Sequence, residues 1–159
     1  MSAPEISNTI QRASTAYGYP LLIKQLLHAP MVHSREQEIV YRDLRRHSYA
    51  DFRTRIGQLA NALRALGVAH GDTVAVMDWD SHRYLEAYFA VPMMGATLMT
   101  VNVRLSNDQI AYTLNHSQAK LVFVNAEFAP VLDAIRDKLT SAKAFVLLTD
   151  DTAPSGIAG

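Results

Sequence analysis

Between Thr73 and Leu148 the chain alternates runs in which every residue is apolar or threonine with segments that are apolar at helical spacing. Thr73-Val-Ala-Val-Met, Thr97-Leu-Met-Thr-Val, Leu121-Val-Phe-Val and Ala144-Phe-Val-Leu-Leu are the runs. The segments between them are Ser81 to Met94, Asn107 to Asn115 and Glu127 to Leu139, the last with Phe128, Val131, Leu132, Ile135 and Leu139 on one face. A strand with no polar face must be covered on both sides, and a parallel neighbour needs a crossover long enough to hold a helix. The fold class that satisfies both is α/β, a doubly wound, mostly parallel sheet with flanking helices.

The first third of the chain reads differently. Leu22, Ile23, Leu26 and Leu27 predict a short amphipathic helix over Pro20 to Leu27 that ends near Ala29-Pro30. Glu38-Ile-Val-Tyr-Arg and Arg46-His-Ser-Tyr around Asp43-Leu-Arg predict a small β-hairpin. Ser48 with Asp51 three residues on is a near capping box, and Phe52, Ile56, Leu59, Ala60, Leu63 and Leu66 form one stripe that Gly67 closes. Ser106 with Gln109 is a second box, and Pro92 should kink its helix or end it about a turn early. Residues 1–17 read as a mobile lead-in, 18–150 as one domain, and 151–159 as a linker or truncation end.

Composition excludes several function classes. With 49% hydrophobic and 19% charged residues, the 159-residue chain can build a sizeable core. Fifteen basic residues balance fifteen acidic ones, so no whole-protein field attracts nucleic acid or an anionic membrane. Residues 1–70 carry a net charge of +4 and residues 71–159 one of −4, the mark of oppositely charged solvated faces. The absence of Cys excludes disulfides and thiolate metal sites and is compatible with a reducing cytosol. The N-terminus lacks signal-peptide character, and Tyr84 to Val103, broken by Glu86, Pro92 and Gly95, is no membrane span. A cytoplasmic protein with no transmembrane segment is expected.

Ligands of open parallel sheets bind beyond the carboxyl ends of the strands. Those ends hold Asp78-Trp-Asp80, Asn102, Asn125 and Asp150, and the expected role of each is to cap a helix or bond a turn amide. Asp80, His82, Asn102 and Arg104 are the candidates to face a crevice. Asp78, Asp80 and His82 do not make a metal site, because His82 already lies in the first helical turn and no further ligand completes the set. The remaining histidines, His28, His33, His47, His70 and His116, are scattered. No glycine falls into a phosphate-cradling motif, and no nucleophile elbow occurs. Arg42, Arg45, Arg46 and His47 beside Tyr41 and Tyr49 read as a solvated turn, and Met93, Met94 and Met99 as core.

Three blocks, Leu66 to Val76, His82 to Leu105 and Ser106 to Lys120, resemble the opening domain of adenylate-forming acyl-CoA synthetases. Arg83-Tyr-Leu-Glu-Ala-Tyr-Phe-Ala-Val-Pro and Asn102-Val-Arg-Leu-Ser look most like the fatty-acyl-CoA ligase branch, although Met99 stands where many of those ligases have His. The resemblance implies that the parent protein activates a carboxylic, fatty-type acid with ATP and Mg²⁺ and passes the acyl group to CoA. It also implies that the family's Lys-Gly loop, Tyr-Gly-x-Thr-Glu motif, ribose-binding Asp and lid Lys would lie beyond Gly159, since nothing here matches them. No catalytic, cofactor-binding or metal-binding residue is therefore assigned, and the chain alone is expected to be inactive and to bind none of these cofactors. The implied partners are the acid, the rest of the synthetase, and a second copy joined through an arm at Tyr17 to Leu27. An autonomous dimerisation module and a non-adenylating nucleotide-binding α/β domain are the alternatives.

Overall fold

The structure, a computed structural model, describes residues 13–18 and 22–150. The expectations placed on residues 1–12, on the start of the first helix at Pro20 and on the 151–159 tail lie outside them. A 3₁₀ turn, Ile23–Leu27, runs into α1, His28–His33. Strands β1, Glu38–Tyr41, and β2, Arg45–Ser48, form an antiparallel hairpin, and α2 follows over Tyr49–Ala65. Then come β3 (Thr73–Met77), α3 (His82–Met93), β4 (Thr97–Thr100), α4 (Asn107–His116), β5 (Ala119–Asn125), α5 (Ala129–Ile135) and β6 (Ala144–Leu148).

β4, β3, β5 and β6 lie side by side in that order, and every pairing is parallel. One face presents Ala75, Met77, Val122 and Val124 to Ile110, Ala111 and Leu114 of α4 and to Leu132 and Ile135 of α5. The other presents Val74, Val76, Leu121 and Phe123 to Leu63 of α2 and to Tyr84, Ala87 and Val91 of α3. The sheet is doubly wound, as the uniformly apolar strands require. Burying each such aliphatic side chain contributes about 1.5–3 kcal/mol, so these two layers dominate the stability. A smaller cluster of Leu27, Phe52, Ile56 and Ala90 ties the N-terminal turn to α2 and α3.

The helix ends follow local chemistry. Both capping boxes close reciprocally, Ser48 with Asp51 and Ser106 with Gln109. α2 ends with Gly67 at φ 84°, where Gly67 N–H donates to Arg64 O and Val68 N–H to Leu63 O. α3 ends the same way, with Gly95 at φ 83° donating to Pro92 O and Ala96 to Val91 O. These are the paired bonds of the Schellman closure, each requiring a left-handed residue.

Four local expectations are corrected. The first helical segment does not stop at Pro30; it continues to His33, because Pro30 sits in the first turn of α1, where its missing N–H is not needed. Leu66 is 51% exposed, since the stripe of α2 has rotated off the sheet by its last residue. α3 is not cut short by a turn: Pro92 lies in the last turn, and the closure at Gly95 fixes the end at Met93. The helix expected over Glu127 to Leu139 is divided into a 3₁₀ turn at Ala126–Phe128, α5, and a second 3₁₀ turn at Arg136–Lys138. Pro130 restarts the helix there, because it donates no bond to the preceding turn.

Between β3 and β5 the register shifts after Thr73, which pairs with Ala119 while Val74 pairs with Leu121. Lys120 is the extra residue, and its ammonium donates to Gly67 O at 2.8 Å and to Asp72 at 2.6 Å. That bond, with the Ala69 N–H, holds the Asp72 carboxyl below its ordinary pKa.

Glycine substitutions separate backbone strain from propensity. Gly95→Ala places a Cβ 2.4 Å from His70 Cδ2 on a left-handed backbone and should cost roughly 1–3 kcal/mol in urea unfolding. Gly57→Ala, within α2 with open space around it, should add roughly 0.5–1 kcal/mol.

Candidate functional site

The chain leaves β3 for β4 on one side of the sheet and reaches β5 and then β6 on the other, so the strand order reverses between β3 and β5. In doubly wound sheets a crevice opens there, beyond the carboxyl ends. Asp78 follows the last residue of β3, and Asn125 is the last residue of β5. Asn125 Nδ2 donates to Asp78 Oδ1 at 2.6 Å, and the Ser81 hydroxyl donates to Asp78 Oδ2. Asn125 Oδ1 accepts from Glu127 N–H at 3.0 Å, while Ser81 accepts from Tyr84 N–H and caps α3. Trp79 Nε1 donates to Glu127 at 2.8 Å, and its ring lies 5.1 Å from that of Phe128. The crevice is latched by its own rim.

The other strand ends behave likewise. Asn102 Oδ1 accepts from Arg104 N–H at 3.1 Å, an Asx turn, and both residues are exposed. Arg83 donates to Thr149 O at 2.7 Å and to Asp150 at 2.5 Å, which lowers the Asp150 carboxyl pKa. Capping and turn bonding are therefore what Asn102 and Asn125 do, whereas Asp150 pairs with Arg83 and Asp78 accepts from the Ser81 and Asn125 side chains, because the fold brings those donors to them in place of a turn amide. Of the four crevice candidates, Asp80 and His82 share one cleft, and neither Asn102 nor Arg104 lines it.

That cleft, about 240 Å³, lies between β1 and the start of α3 and is lined by Ile39, Tyr41, Asp80, His82, Leu85 and Tyr88, among others. His82 is buried, its ring 5.1 Å from Tyr41 and 6.0 Å from His47, and its Nδ1 has no hydrogen-bond partner. Burial, reinforced by the Arg83 charge, pushes its pKa down to about 4. A neutral imidazole is the stable form, and it packs beside the Tyr41 and His47 rings. Among the described residues no group of three or more His, Cys, Asp or Glu could hold a metal ion. Nor is any described helix long and apolar enough to cross a membrane.

Sequence reasoning missed the most buried ion pair. Arg55 Nε of α2 donates to Glu86 Oε1 of α3 at 2.5 Å, with Glu86 only 6% exposed. A signal existed in the sequence: Glu86 is the one acidic residue between His82 and Met93, and a carboxylate carried by so apolar a helix requires a cationic partner.

The comparisons with known proteins agree with this geometry. A family model described as AMP-binding enzyme matches residues 27–157. A long-chain-fatty-acid–CoA ligase of Thermus thermophilus is 40% identical over 147 residues, 92% of this chain and 25% of that protein. A medium-chain-fatty-acid–CoA ligase of Ectopseudomonas oleovorans is 33% identical over 111 residues, 70% of this chain and 20% of its own length. Among solved structures, a Mycobacterium tuberculosis fatty acyl CoA synthetase superposes with a TM-score of 0.63 at 30% identity, covering 65% of this chain and 21% of that one. An anthranilate CoA ligase superposes at 0.73 with 23% identity, covering 78% and 24%, a likeness of fold alone. The chain spans about a fifth to a quarter of the length of these curated relatives.

Two measurements test the site energetics. The folded His82 pKa is below its ordinary value of 6.5, so the unfolded chain binds the extra proton as pH falls. Stability should be unaffected by His82 above about pH 6.5 and fall by up to ~3 kcal/mol toward pH 4. The lowered carboxyls Asp51, Asp72, Asp108 and Asp150 act below that window, as pH drops through and below 3.8. Urea midpoints of His82→Phe should lose most of the dependence between pH 6.5 and 4. Arg55→Met should cost about 2–3 kcal/mol, the low end for a broken buried pair because 35% of the Arg55 side chain meets water; adding Glu86→Met should restore most of it.

Proposed function

The chain belongs to the AMP-binding enzyme family, and we propose that it is the N-terminal part of an ATP-dependent acyl-CoA synthetase of the fatty-acyl-CoA ligase type. The observation that carries this reading is the 40% identity with a long-chain-fatty-acid–CoA ligase, across nearly all of this chain and one quarter of that protein. In the full-length protein a carboxylic, fatty-type acid reacts with ATP to give an acyl-adenylate and pyrophosphate, and the acyl group then passes to CoA with release of AMP. ATP, Mg²⁺ and CoA are its cofactors, and the cytoplasm is its place of action, with which the absence of Cys from this chain is compatible.

This chain's share of the work is structural. Residues 18–150 form the first subdomain, 151–159 connect it onward, and no residue here is assigned to catalysis, to cofactors or to metal. Two features support that division. No phosphate-cradling glycine motif occurs, and the polar groups at the strand-order reversal are bonded to one another, with Asp78 taken up by Ser81 and Asn125. The Asp78, Asn125 and Ser81 bonds would then hold the ends of β3 and β5 at a fixed spacing for whatever the rest of the enzyme builds against them.

The segment from Tyr17 to Leu27 is proposed as an arm toward a second copy. Leu22 is 51% and Leu26 66% exposed, which supports a surface that is covered in an assembly.

The test is enzymatic. The full-length protein, supplied with ATP, Mg²⁺, CoA and saturated acids of graded chain length, should release pyrophosphate and form acyl-CoA, whereas the 159-residue chain should do neither and give no heat on ATP titration. A full-length protein that adenylates no carboxylic acid would overturn the reading. Light scattering of the full-length protein with and without residues 1–30 tests the arm, which requires a dimer that the truncation abolishes.

A further inference from the structure

Between α2, the N-terminal turn and the end of α3 runs an apolar groove that is edged by cations and lined by no acid. Its cavity, about 230 Å³, is floored by Leu27, Ile56, Ala60, Met93 and Met94, with Arg53 and Arg64 exposed at its sides. Residues 53, 57, 60 and 64 recur at helical spacing and so share one face of α2. At the centre of that face a Cβ on Gly57 would meet nothing within 4 Å, so the backbone itself forms part of the groove. Met93, read from the sequence as core, is the last residue of α3 and 40% exposed. There the groove meets a second cavity of about 440 Å³, lined by Ile23, Lys24 and Pro92 among others. Together the two reach the roughly 300–1,000 Å³ in which small ligands are held.

The charges decide which ligand. Exposed cations elsewhere, such as Arg46 and Lys138, stand beside a carboxylate. Among the described residues neither Arg53 nor Lys24 enters an ion pair, and Arg64 donates only to Asn61, at 3.0 Å. Unpaired cations bordering an uncharged apolar slot complement an anion with an apolar tail. A guanidinium matches a carboxylate in shape as well as charge. The methionine side chains, unbranched and flexible, adapt to tails of differing length. A concave slot of this kind holds a single chain, whereas a bilayer surface meets protruding apolar faces.

We propose that this groove is a second, non-catalytic binding site for a single-chain carboxylate amphiphile, a free fatty acid, with its carboxylate on Arg53 and its tail over Gly57 and Ala60 toward Met93 and Met94. Arg53 takes the carboxylate because Arg64 is engaged by Asn61 and stands about 16 Å further along α2, beside the far end of the tail. The class of ligand follows from the groove's own chemistry; that such an acid is also what the enzyme activates rests on the function proposed above. Leu26, 66% exposed in the segment proposed as an arm, lines neither cavity, so arm and groove are separate surfaces.

Dodecanoate, added below its micelle concentration to the full-length protein with isotope-labelled methionine methyls, tests the site. The Met93 and Met94 resonances should shift and saturate together, while Met99, packed on the opposite face of the sheet, stays still. Arg53→Gln should raise the half-saturating concentration roughly tenfold, as should dodecanol in place of dodecanoate, since each removes one charge-assisted contact. Gly57→Leu, which fills the groove from an exposed helix position, should abolish the shifts. Met93 and Met94 methyls that stay still, or that respond equally in Arg53→Gln, overturn the proposal. So does a shift given by vesicles of anionic phospholipid and not by dodecanoate, which assigns the face to a membrane. A shift that follows protein concentration without acid assigns it to a second copy and overturns the proposal too. Pyrophosphate release is read on the same samples. Saturable, Arg53-dependent shifts in a protein that adenylates no acid refute only the enzymatic reading, and adenylation with Met93 and Met94 unmoved refutes only this site.

Discussion

β3 and β5, paired side by side, present no polar side chain on either face from Val74 to Met77 and from Leu121 to Val124, and the rest of the molecule is arranged to keep water from both faces. A ribbon of that kind cannot lie on a surface. α2 and α3 cover one side and α4 and α5 the other, and the connections that carry them there account for the parallel order β4-β3-β5-β6. The hairpin and the N-terminal turn are secondary to this arrangement: they fasten to α2 and α3 through Leu27, Phe52, Ile56 and Ala90.

Besides the Arg55–Glu86 pair between α2 and α3, polar contacts lie at the two ends of the sheet, where they serve closure. At the amino ends, Lys120 reaches from its bulge to Gly67 and Asp72, and the His70 ring packs against Gly95. At the carboxyl ends, Asp78, Ser81 and Asn125 tie β3 to β5, and Arg83 ties α3 to the end of β6. Such groups bond to each other because unpartnered polar atoms are costly so close to a dry core. His82 Nδ1 and His47 Nε2 are exceptions, buried and without partners, and the depressed His82 pKa is the electrostatic consequence. At the strand-order reversal the side chains of Asp78, Ser81 and Asn125 bridge the crevice between β3 and β5.

The residues that carry the family resemblance have visible places in the fold. Arg83 to Pro92 and Asn102 to Ser106 carry the likeness to fatty-acyl-CoA ligases, and both stretches lie at the carboxyl side of the sheet or on the helix that leaves it. Their visible roles are local: Arg83 anchors β6, Glu86 pairs with Arg55, and Asn102 shapes the turn that leads to the Ser106 cap.

From the sequence alone the fold class, the strand positions, the serine caps at Ser48 and Ser106 and the left-handed stop at Gly67 were legible, because each depends on residues within a few positions of one another. Apolar runs of four or five residues, Ser-x-x-Asp and Ser-x-x-Gln, and glycine after a helix act through local sterics and hydrogen bonding. The same locality explains the errors. Pro30, Pro92 and Pro130 each carry the same helix-breaking signal, yet one sits harmlessly in a first turn, one in a last turn, and only the third divides its helix. Which of these occurs depends on where tertiary packing places the helix ends. Strand order, the pairing of Arg55 with Glu86 across 31 positions, the Asp78 to Asn125 latch across 47 and the meeting of His47 with His82 were decided only in three dimensions. Those contacts join residues that no periodicity links, and they exist because covering both faces of β3 and β5 brings their helices and strand ends together.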